Sequence, residues 1–313
     1  MKKCINKVTI AGYLYQHNLT VRTVQKKDSE NYGKEFINGS IDIATDEAGL
    51  NVINVRYTYV TPTTKNGSEN RNYAVLKSII DGAPTVLSHG KENATKVKCD
   101  TNFALNDWYN QEGKLVSSMV LEGGFISKVN ELDPIESHRN AFQLDFLITN
   151  VARVEADPEK NIKEDYCTMR GAGFNFRNAL LPMTFTVRNP HGMEYFENLD
   201  PSNTNPVFTK VSGNIFNTTL VVEKKEESAF GEAMVTSYER KIKEWLITNA
   251  TQETYEFGDE EVLTAEEVTK ALQDREVLLA DIKKQSEDAK MAKAAAPAAS
   301  TVAPKTSSTA FNF

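Results

Sequence analysis

VKCDTNFALNDWYNQEGKLVSSMVLE, residues 97–122, has the pattern of two β-strands joined by a polar turn. Apolar and aromatic residues recur on both sides of Asn110-Gln-Glu-Gly113, and such runs around turn residues predict a hairpin. The end of the first strand carries the aromatic pair Trp108-Tyr109 among polar neighbours. Because those neighbours favour water, we predict that Trp108 is exposed.

Strand and helix patterns before this hairpin outline a small barrel. Residues 5–14 alternate between apolar and polar side chains, residues 20–24 extend them, and residues 36–45 alternate in the same way. Residues 52–60 are rich in β-branched and aromatic side chains, whereas residues 73–80 have apolar positions at helical spacing. The order strand, strand, strand, short helix, strand, strand is that of an OB-fold, a five-stranded Greek-key barrel.

A second unit of the same kind follows the first. Thr95-Lys-Val97 recurs as Thr209-Lys-Val211, in each case after the helix of its unit. The remaining patterns are strand-like at residues 142–154, 180–187, 207–222 and 241–257, with a short helical turn at 191–199. We therefore predict an all-β protein with minor helix content, built from tandem OB-folds at residues 1–130 and 140–257.

The C-terminal region has a different character. Thr264-Ala-Glu-Glu267 is a capping-box pattern that predicts the start of a helix within residues 258–290. Residues 291–313 are rich in Ala, Pro, Ser and Thr, so we expect a disordered tail that ends in Phe311-Asn-Phe313. The apolar stripe expected to bury the helix is Val268, Leu272, Val277, Leu278 and Ile282.

Composition narrows the class of protein. With 40% hydrophobic and 25% charged residues, the chain is typical of a soluble globular protein, and no apolar run is long enough to span a bilayer. The net charge is −7, yet residues 1–34 hold seven lysines and arginines against two acids, which suits phosphate contacts in the first unit. The three cysteines and four histidines are scattered, so we expect no metal site and no cofactor.

Four motifs of the first unit occur in the order of a known family. Residues 6–14 (NKVTIAGYL) and 40–45 (SIDIAT) resemble the first and second strands of bacterial and phage single-stranded DNA-binding (SSB) proteins. Residues 55–59 (VRYTY) fall where that family has its third strand, and residues 107–114 (DWYNQEGK) resemble its Trp-containing hairpin. The resemblance covers about residues 5–130 and implies an OB-fold that binds single-stranded DNA. The chain departs from the family in having Ile53, instead of Trp, near the start of the third strand.

Two kinds of side chain bind a single strand without reading its sequence: aromatic rings that stack on bases, and cations that neutralise phosphates. Trp108 is the first stacking candidate, with Tyr109 beside it. Tyr57 and Tyr59 lie two residues apart and so share a strand face, which is either a stacking face or part of the core. The candidates for phosphate contacts, each otherwise an ordinary solvated charge, are Lys7, Arg22, Lys34, Arg56 and Lys98.

Two further groups of residues lie outside the first unit. Residues 174–177 (FNFR) form an aromatic-basic cluster, with Phe174 and Arg177 as its candidates, that either extends the DNA track or packs on its own barrel. Phe311 and Phe313 resemble the C-terminal tip through which SSB proteins recruit replication and repair proteins, although the acidic run that precedes that tip in the family is absent.

These observations predict a cytoplasmic protein that coats single-stranded DNA during replication, recombination or repair, as a phage or mobile-element version of the SSB family. No G-x-S-x-G, H-E-x-x-H or Walker motif occurs, so we do not expect an enzyme. A Mg²⁺-dependent nuclease is the competing enzymatic class. The main alternative is a structural or replisome-adaptor protein that uses OB-folds for protein contacts, and RNA is an alternative ligand.

Overall fold

The computed structural model describes residues 4–157, 162–226, 234–256 and 263–295. The first unit contains β1 (Asn6–His17), β2 (Thr20–Thr23), β3 (Glu35–Ala44), β4 (Val52–Val60), α1 (Arg71–Ile80), α2 (Val86–His89), β5 (Lys96–Tyr109) and β6 (Leu115–Lys128). The second unit contains β7 (Asn140–Val154), β8 (Tyr166–Phe174), β9 (Leu180–Val187), α3 (Pro190–Asn198), β10 (Val207–Glu226) and β11 (Met234–Ala250). The long helix α4 (Ala265–Ala295) follows, and short 3-10 helices lie at Lys91–Asn93 and Glu136–His138.

Each unit closes into a five-stranded barrel. In the first, the strands pair in the order β1–β3–β4–β6–β5 and back to β1, and β4 runs parallel to β6. In the second, the order is β7–β8–β9–β11–β10 and back to β7, and β9 runs parallel to β11. The two orders are equivalent and both are those of an OB-fold. The predicted fold class, a tandem OB-fold with a C-terminal helix, is confirmed.

Strand β8 was not predicted, because its glycines resemble a loop. Gly171 lies inside the strand where the neighbouring backbone comes very close: a Cβ at this position would lie 2.1 Å from the carbonyl oxygen of Leu147. A glycine in a strand interior often marks such an approach. The Gly171-Ala-Gly173 segment is therefore part of the barrel wall.

Helix α4 begins as the capping box predicts. The backbone N–H of Thr264 donates to the Glu267 carboxylate (3.0 Å), and the Glu267 N–H donates to the Thr264 hydroxyl (3.2 Å). The predicted apolar stripe is wrong in part, since Leu272, Val277 and Leu278 are exposed. Val268 is shielded as predicted, and beyond it the shielded positions recur at intervals of three and four residues and are Ala271, Arg275, Leu279, Ile282 and Ser286.

The two barrels share one hydrophobic core. Phe103 of β5 is 1% exposed and its ring contacts Phe142 and Phe185 of the second barrel, with centroids 5.4 and 5.8 Å away. The same ring meets Trp245 of β11 at 5.1 Å. These edge-to-face contacts join the end of the first barrel to the interior of the second.

Candidate nucleic-acid interface

The outer surface of β3 and β4 is a polar sheet face. Alternate residues of these strands, such as Ile41 and Val55, are buried, so their neighbours point outwards. Asn54 donates to the Ser40 hydroxyl (3.0 Å) and to the Asp42 carboxylate (2.6 Å), which makes a connected surface of hydrogen-bonding groups. We call this surface the β3–β4 face. In OB-folds the corresponding surface and the loops beside it bind oligonucleotides.

A pair of aromatic rings lies at one end of the β3–β4 face. The rings of Phe36 on β3 and Tyr59 on β4 lie 4.8 Å apart, and Tyr59 is 45% exposed. Arg22 on β2 is the cross-strand partner of Phe36, so its side chain lies on the same face. This arrangement supplies a stacking surface next to a cation. Sequence reasoning missed Phe36, because nothing in the alternation of β3 distinguishes an exposed ring from a core ring.

A β-bulge separates Tyr59 from Tyr57. Between the pairs Gly39↔Tyr57 and Ile37↔Val60, one residue of β3 faces two residues of β4. The extra residue reverses the alternation, so Tyr57 points inwards and Tyr59 points outwards. The prediction of Tyr57 as a binding residue is wrong. It is 1% exposed, its hydroxyl lies 3.2 Å from Cys99 Sγ, and burial raises the pKa of both groups, that of Cys99 to about 12.

Trp108 and Tyr109 lie on opposite faces of the β5–β6 hairpin. Trp108 is 41% exposed and follows Asn106 along the outward row of β5. Tyr109 lies on the other face, together with Asp107, because successive strand residues alternate. The pair therefore does not form one stacking platform. Trp108 is the ring that the hairpin presents on the outward surface.

A second bulge turns Phe125 outwards. Gly123 and Gly124 of β6 stand opposite the single residue between Asp100 and Asn102 of β5. A Cβ on Gly124 would lie 1.9 Å from the Asp100 carbonyl oxygen, so only glycine fits there. Phe125 is 75% exposed as a result. Phe125 was not predicted from the sequence, although the Gly-Gly pair before it is a signal of a bulge.

Asn72 of α1 holds the Phe125 bulge on both sides. Its amide nitrogen donates to the Gly124 carbonyl (2.7 Å), and its amide oxygen accepts from the Ile126 N–H (3.1 Å). These two hydrogen bonds satisfy backbone groups of Gly124 and Ile126 at the bulge, where the regular pairing with β5 is interrupted. The exposed ring is therefore carried on an ordered backbone.

The predicted phosphate-binding residues do not all lie together. Arg56 is on the β3–β4 face, where its parallel-strand partner is Glu122 of β6, and Arg22 is beside the aromatic pair. Lys34 lies near the end of the β2–β3 ribbon, where its Nζ donates to Asn31 Oδ1 (3.0 Å). Lys7 pairs with Gln143 of β7 at the junction of the barrels, and Lys98 lies on the outer side of β5. Lys7 is at the end of β1 that pairs with β7, away from the residues of β1 that pair with β3, and Lys98 is separated from the β3–β4 face by β6.

In the second barrel the predicted Arg177 is exposed, but the exposed ring is Phe176 and not the predicted Phe174. Phe174 is fully buried and makes an edge-to-face contact with Phe208 at 6.1 Å, so its prediction as a binding residue is wrong. Phe176 is 66% exposed in the β8–β9 turn, and the Arg177 guanidinium lies 5.1 Å from its ring centroid. Arg177 is thus exposed beside Phe176.

Asn6 places the β8–β9 turn next to the first barrel. Its amide nitrogen donates to the backbone carbonyls of both Phe103 (3.0 Å) and Phe174 (3.2 Å). The backbone of β5 and the end of β8 are therefore linked through one side chain. Phe176 follows two residues after this link.

Phe311 and Phe313, predicted to bind protein partners, lie outside the described residues. Among the helices of the described ranges, none combines the length and apolarity that crossing a membrane requires. Nor does the described part of the chain bring three or more His, Cys, Asp or Glu side chains together in a metal-binding arrangement.

The chain is similar to solved structures and matches a family model. The chain is similar to the wild-type single-stranded DNA binding protein from Thermus aquaticus, with 13% identity and a TM-score of 0.45 over 81% of this chain and 95% of that chain. It is also similar to a deletion mutant of the same protein, with 14% identity and a TM-score of 0.45 over 83% and 100% of the two chains. No curated protein sequence matches it. The model of the YorF family matches residues 5–285, and the chain belongs to that family.

Proposed function

We propose that this protein binds single-stranded DNA across the β3–β4 face, without reading its sequence and without chemical turnover. The observation that carries the proposal is the set of exposed rings on adjoining elements of one barrel, next to two arginines. Tyr59 with Phe36, Phe125 and Trp108 supply the rings, and Arg22 and Arg56 supply the charges. Coating of exposed strands during replication, recombination or repair is the cellular role we infer.

The strand register supports a single track for the rings. Arg56, Glu122 and Asn102 form a row across β4, β6 and β5. Tyr59 and Phe125 each lie three residues beyond this row along parallel strands, which is about 10 Å. Trp108 lies six residues from the row in the opposite direction, about 20 Å. The rings therefore span about 30 Å of sheet, consistent with an OB-fold site of roughly 4–16 nucleotides.

Titration of fluorescein-labelled oligo-dT tests the proposal. We expect the anisotropy of the label to rise with protein concentration and the affinity to fall with salt, because phosphate contacts release counterions. Each phosphate contact contributes about 0.7 to the slope of log K against log salt for single strands. Arg56→Gln is expected to reduce the slope by about that amount. An Arg188→Gln variant is the control, since Arg188 is paired with Glu244 on the second barrel.

The outcomes of this titration distinguish single-stranded DNA binding from the alternative functions. Lack of binding to oligo-dT at low salt would overturn the proposal and favour an adaptor that uses its barrels for protein contacts. Tighter binding to oligo-U than to oligo-dT would make RNA the ligand. Cleavage of the oligonucleotide in the presence of Mg²⁺ would show a nuclease.

Phe125→Ala is expected to weaken oligo-dT binding about 5- to 150-fold, since one stacked base contributes roughly 1–3 kcal/mol. The expected loss is that of base stacking. The ring is exposed on an ordered backbone, so its removal deletes almost no contacts within the protein. Labelled oligo-dT anisotropy gives the affinity. Leu87→Ala is the matched control, because Leu87 is 61% exposed on α2 and lies off the track. Equal affinities for Phe125→Ala and Leu87→Ala would remove Phe125 from the site.

A further inference from the structure

The β5–β6 hairpin extends beyond the barrel that it belongs to. Its strands pair with each other from Asn102↔Glu122 to Tyr109↔Leu115, while β1 pairs with β5 only up to Thr101. A two-stranded hairpin alone is marginally stable in water. The outer part of this hairpin, which carries Trp108, therefore needs a second support.

Helix α4 is fixed first on the second barrel. Leu263 just before the helix is 1% exposed and Ala271 is 6% exposed, and both belong to a hydrophobic cluster with Phe174 and Phe208. Val268 packs against the same cluster. The first two turns of α4 are thus held by burial, and the helix continues from there towards the first barrel.

The next turn of α4 contacts the hairpin through an ion pair. Arg275 donates from both terminal nitrogens to the two carboxylate oxygens of Asp107, each at 3.2 Å. The side chains are 12% and 5% exposed, so water is largely excluded from this two-point contact. Farther along, Lys290 Nζ donates to the backbone carbonyls of Asn110 (3.1 Å) and Gln111 (3.3 Å) in the turn. One helix therefore holds both the last strand residues and the turn.

Fixing Asp107 also fixes the direction of its neighbour. Successive strand residues point to opposite faces, so a carboxylate held on the α4 side leaves Trp108 on the solvent side. A slip of one residue in the hairpin would turn every side chain to the other face. The bidentate geometry of Arg275 opposes that slip more strongly than a single charge would.

We infer that α4 is a positioning element for nucleic-acid binding: by holding Asp107 and the turn, it keeps the Trp108 ring on the track. The inference rests on the proposed function. Arg275 and Lys290 are positioning residues that act through the hairpin and not through contact with the strand. The C-terminal helix thereby joins the second barrel to the binding surface of the first.

The test uses full-length protein with Trp245→Phe, so that Trp108 is the single tryptophan of the chain. Arg275→Met removes both bonds and keeps an apolar stem. Its expected results are a lower fluorescence anisotropy of Trp108 without DNA and about tenfold weaker oligo-dT binding, within the roughly 5- to 150-fold contribution of one stacked base. Lys284→Met is the matched control, because Lys284 is exposed on the opposite side of α4.

A second variant distinguishes the role of Arg275 in positioning Trp108 from its contribution to thermal stability. Arg275→Met leaves Asp107 buried and unpaired, and adding Asp107→Asn removes that charge. We expect the double variant to recover thermal stability but not Trp108 anisotropy or affinity, since the two bonds stay absent. Recovery of all three quantities together would overturn the inference, as would unchanged Trp108 anisotropy in folded Arg275→Met. If Arg275→Met does not fold, Lys290→Met gives the same readouts at an exposed position. The DNA-free anisotropy decides the inference even if oligo-dT does not bind.

Discussion

Replacing Trp108 with alanine is expected to weaken oligo-dT binding by roughly 5- to 150-fold, because a stacked base is worth about 1–3 kcal/mol. The ring is 41% exposed and faces solvent on the outward row of β5, so its loss removes a base contact and little core packing. It stands at the end of the track opposite Tyr59 and Phe125, where no other described ring of the first barrel replaces it. Labelled oligo-dT anisotropy measures the change.

Two controls make the Trp108 result specific. Trp108→Phe keeps an aromatic face and is expected to retain most of the affinity. Trp245→Phe changes the other tryptophan, whose ring packs on Phe103 and against Lys243, and is expected to leave the affinity unchanged. Wild-type affinity in Trp108→Ala would contradict the prediction, even if the protein binds DNA elsewhere. Equal losses in Trp108→Ala and Trp245→Phe would indicate a structural effect.

Much of the fold can be predicted from the local pattern of apolar, polar and turn residues. Strands β4 and β9 have the predicted bounds, and the helix between the third and fourth barrel strands of each unit lies within two residues of its predicted bounds. Turn residues and alternation are sufficient here because each strand buries one face in its own barrel. Trp108 was predicted for the same reason, since polar neighbours on both sides mark an exposed position.

The two bulges explain why Tyr57 was grouped with Tyr59 and why Phe125 was not predicted. Alternation places Tyr59 on the face of Tyr57, and it places Phe125 on the buried face of Leu121. A single extra residue in β4 and another in β6 reverse both, and bulges depend on pairing with a distant strand. A large apolar ring at an alternating position normally means core. Tyr59 and Phe125, two rings of the proposed binding surface, lie where the bulges break that rule.

Contacts between residues far apart in the chain could not be predicted from the sequence for a different reason. The Arg275–Asp107 pair joins residues 168 positions apart, and neither residue type nor spacing distinguishes it from ordinary surface charges. The stripe predicted for α4 assumed that apolar residues face the protein. In fact an arginine lies on the shielded side, since its partner carboxylate is buried there.

Phe103→Ala is expected to lower the free energy of unfolding by about 3–5 kcal/mol, the usual cost of deleting a buried phenylalanine ring. Phe103 belongs to β5 of the first barrel, yet its ring fills space between Phe142, Phe185 and Trp245 of the second. The cavity would therefore lie between the barrels, and both should lose stability together. Urea unfolding, followed by circular dichroism and by Trp fluorescence, measures the change.

Phe125→Ala provides the matched control for Phe103→Ala, since the same ring is deleted at a position that is 75% exposed. We expect its stability to change by no more than about 0.5 kcal/mol. Phe103→Ala is thus expected to lower the stability of the protein, whereas Phe125→Ala is expected to lower its affinity for single-stranded DNA. If Phe103→Ala lowered stability no more than Phe125→Ala, the shared core would not hold the barrels together. A loss seen by only one of the two probes would show that the barrels unfold independently.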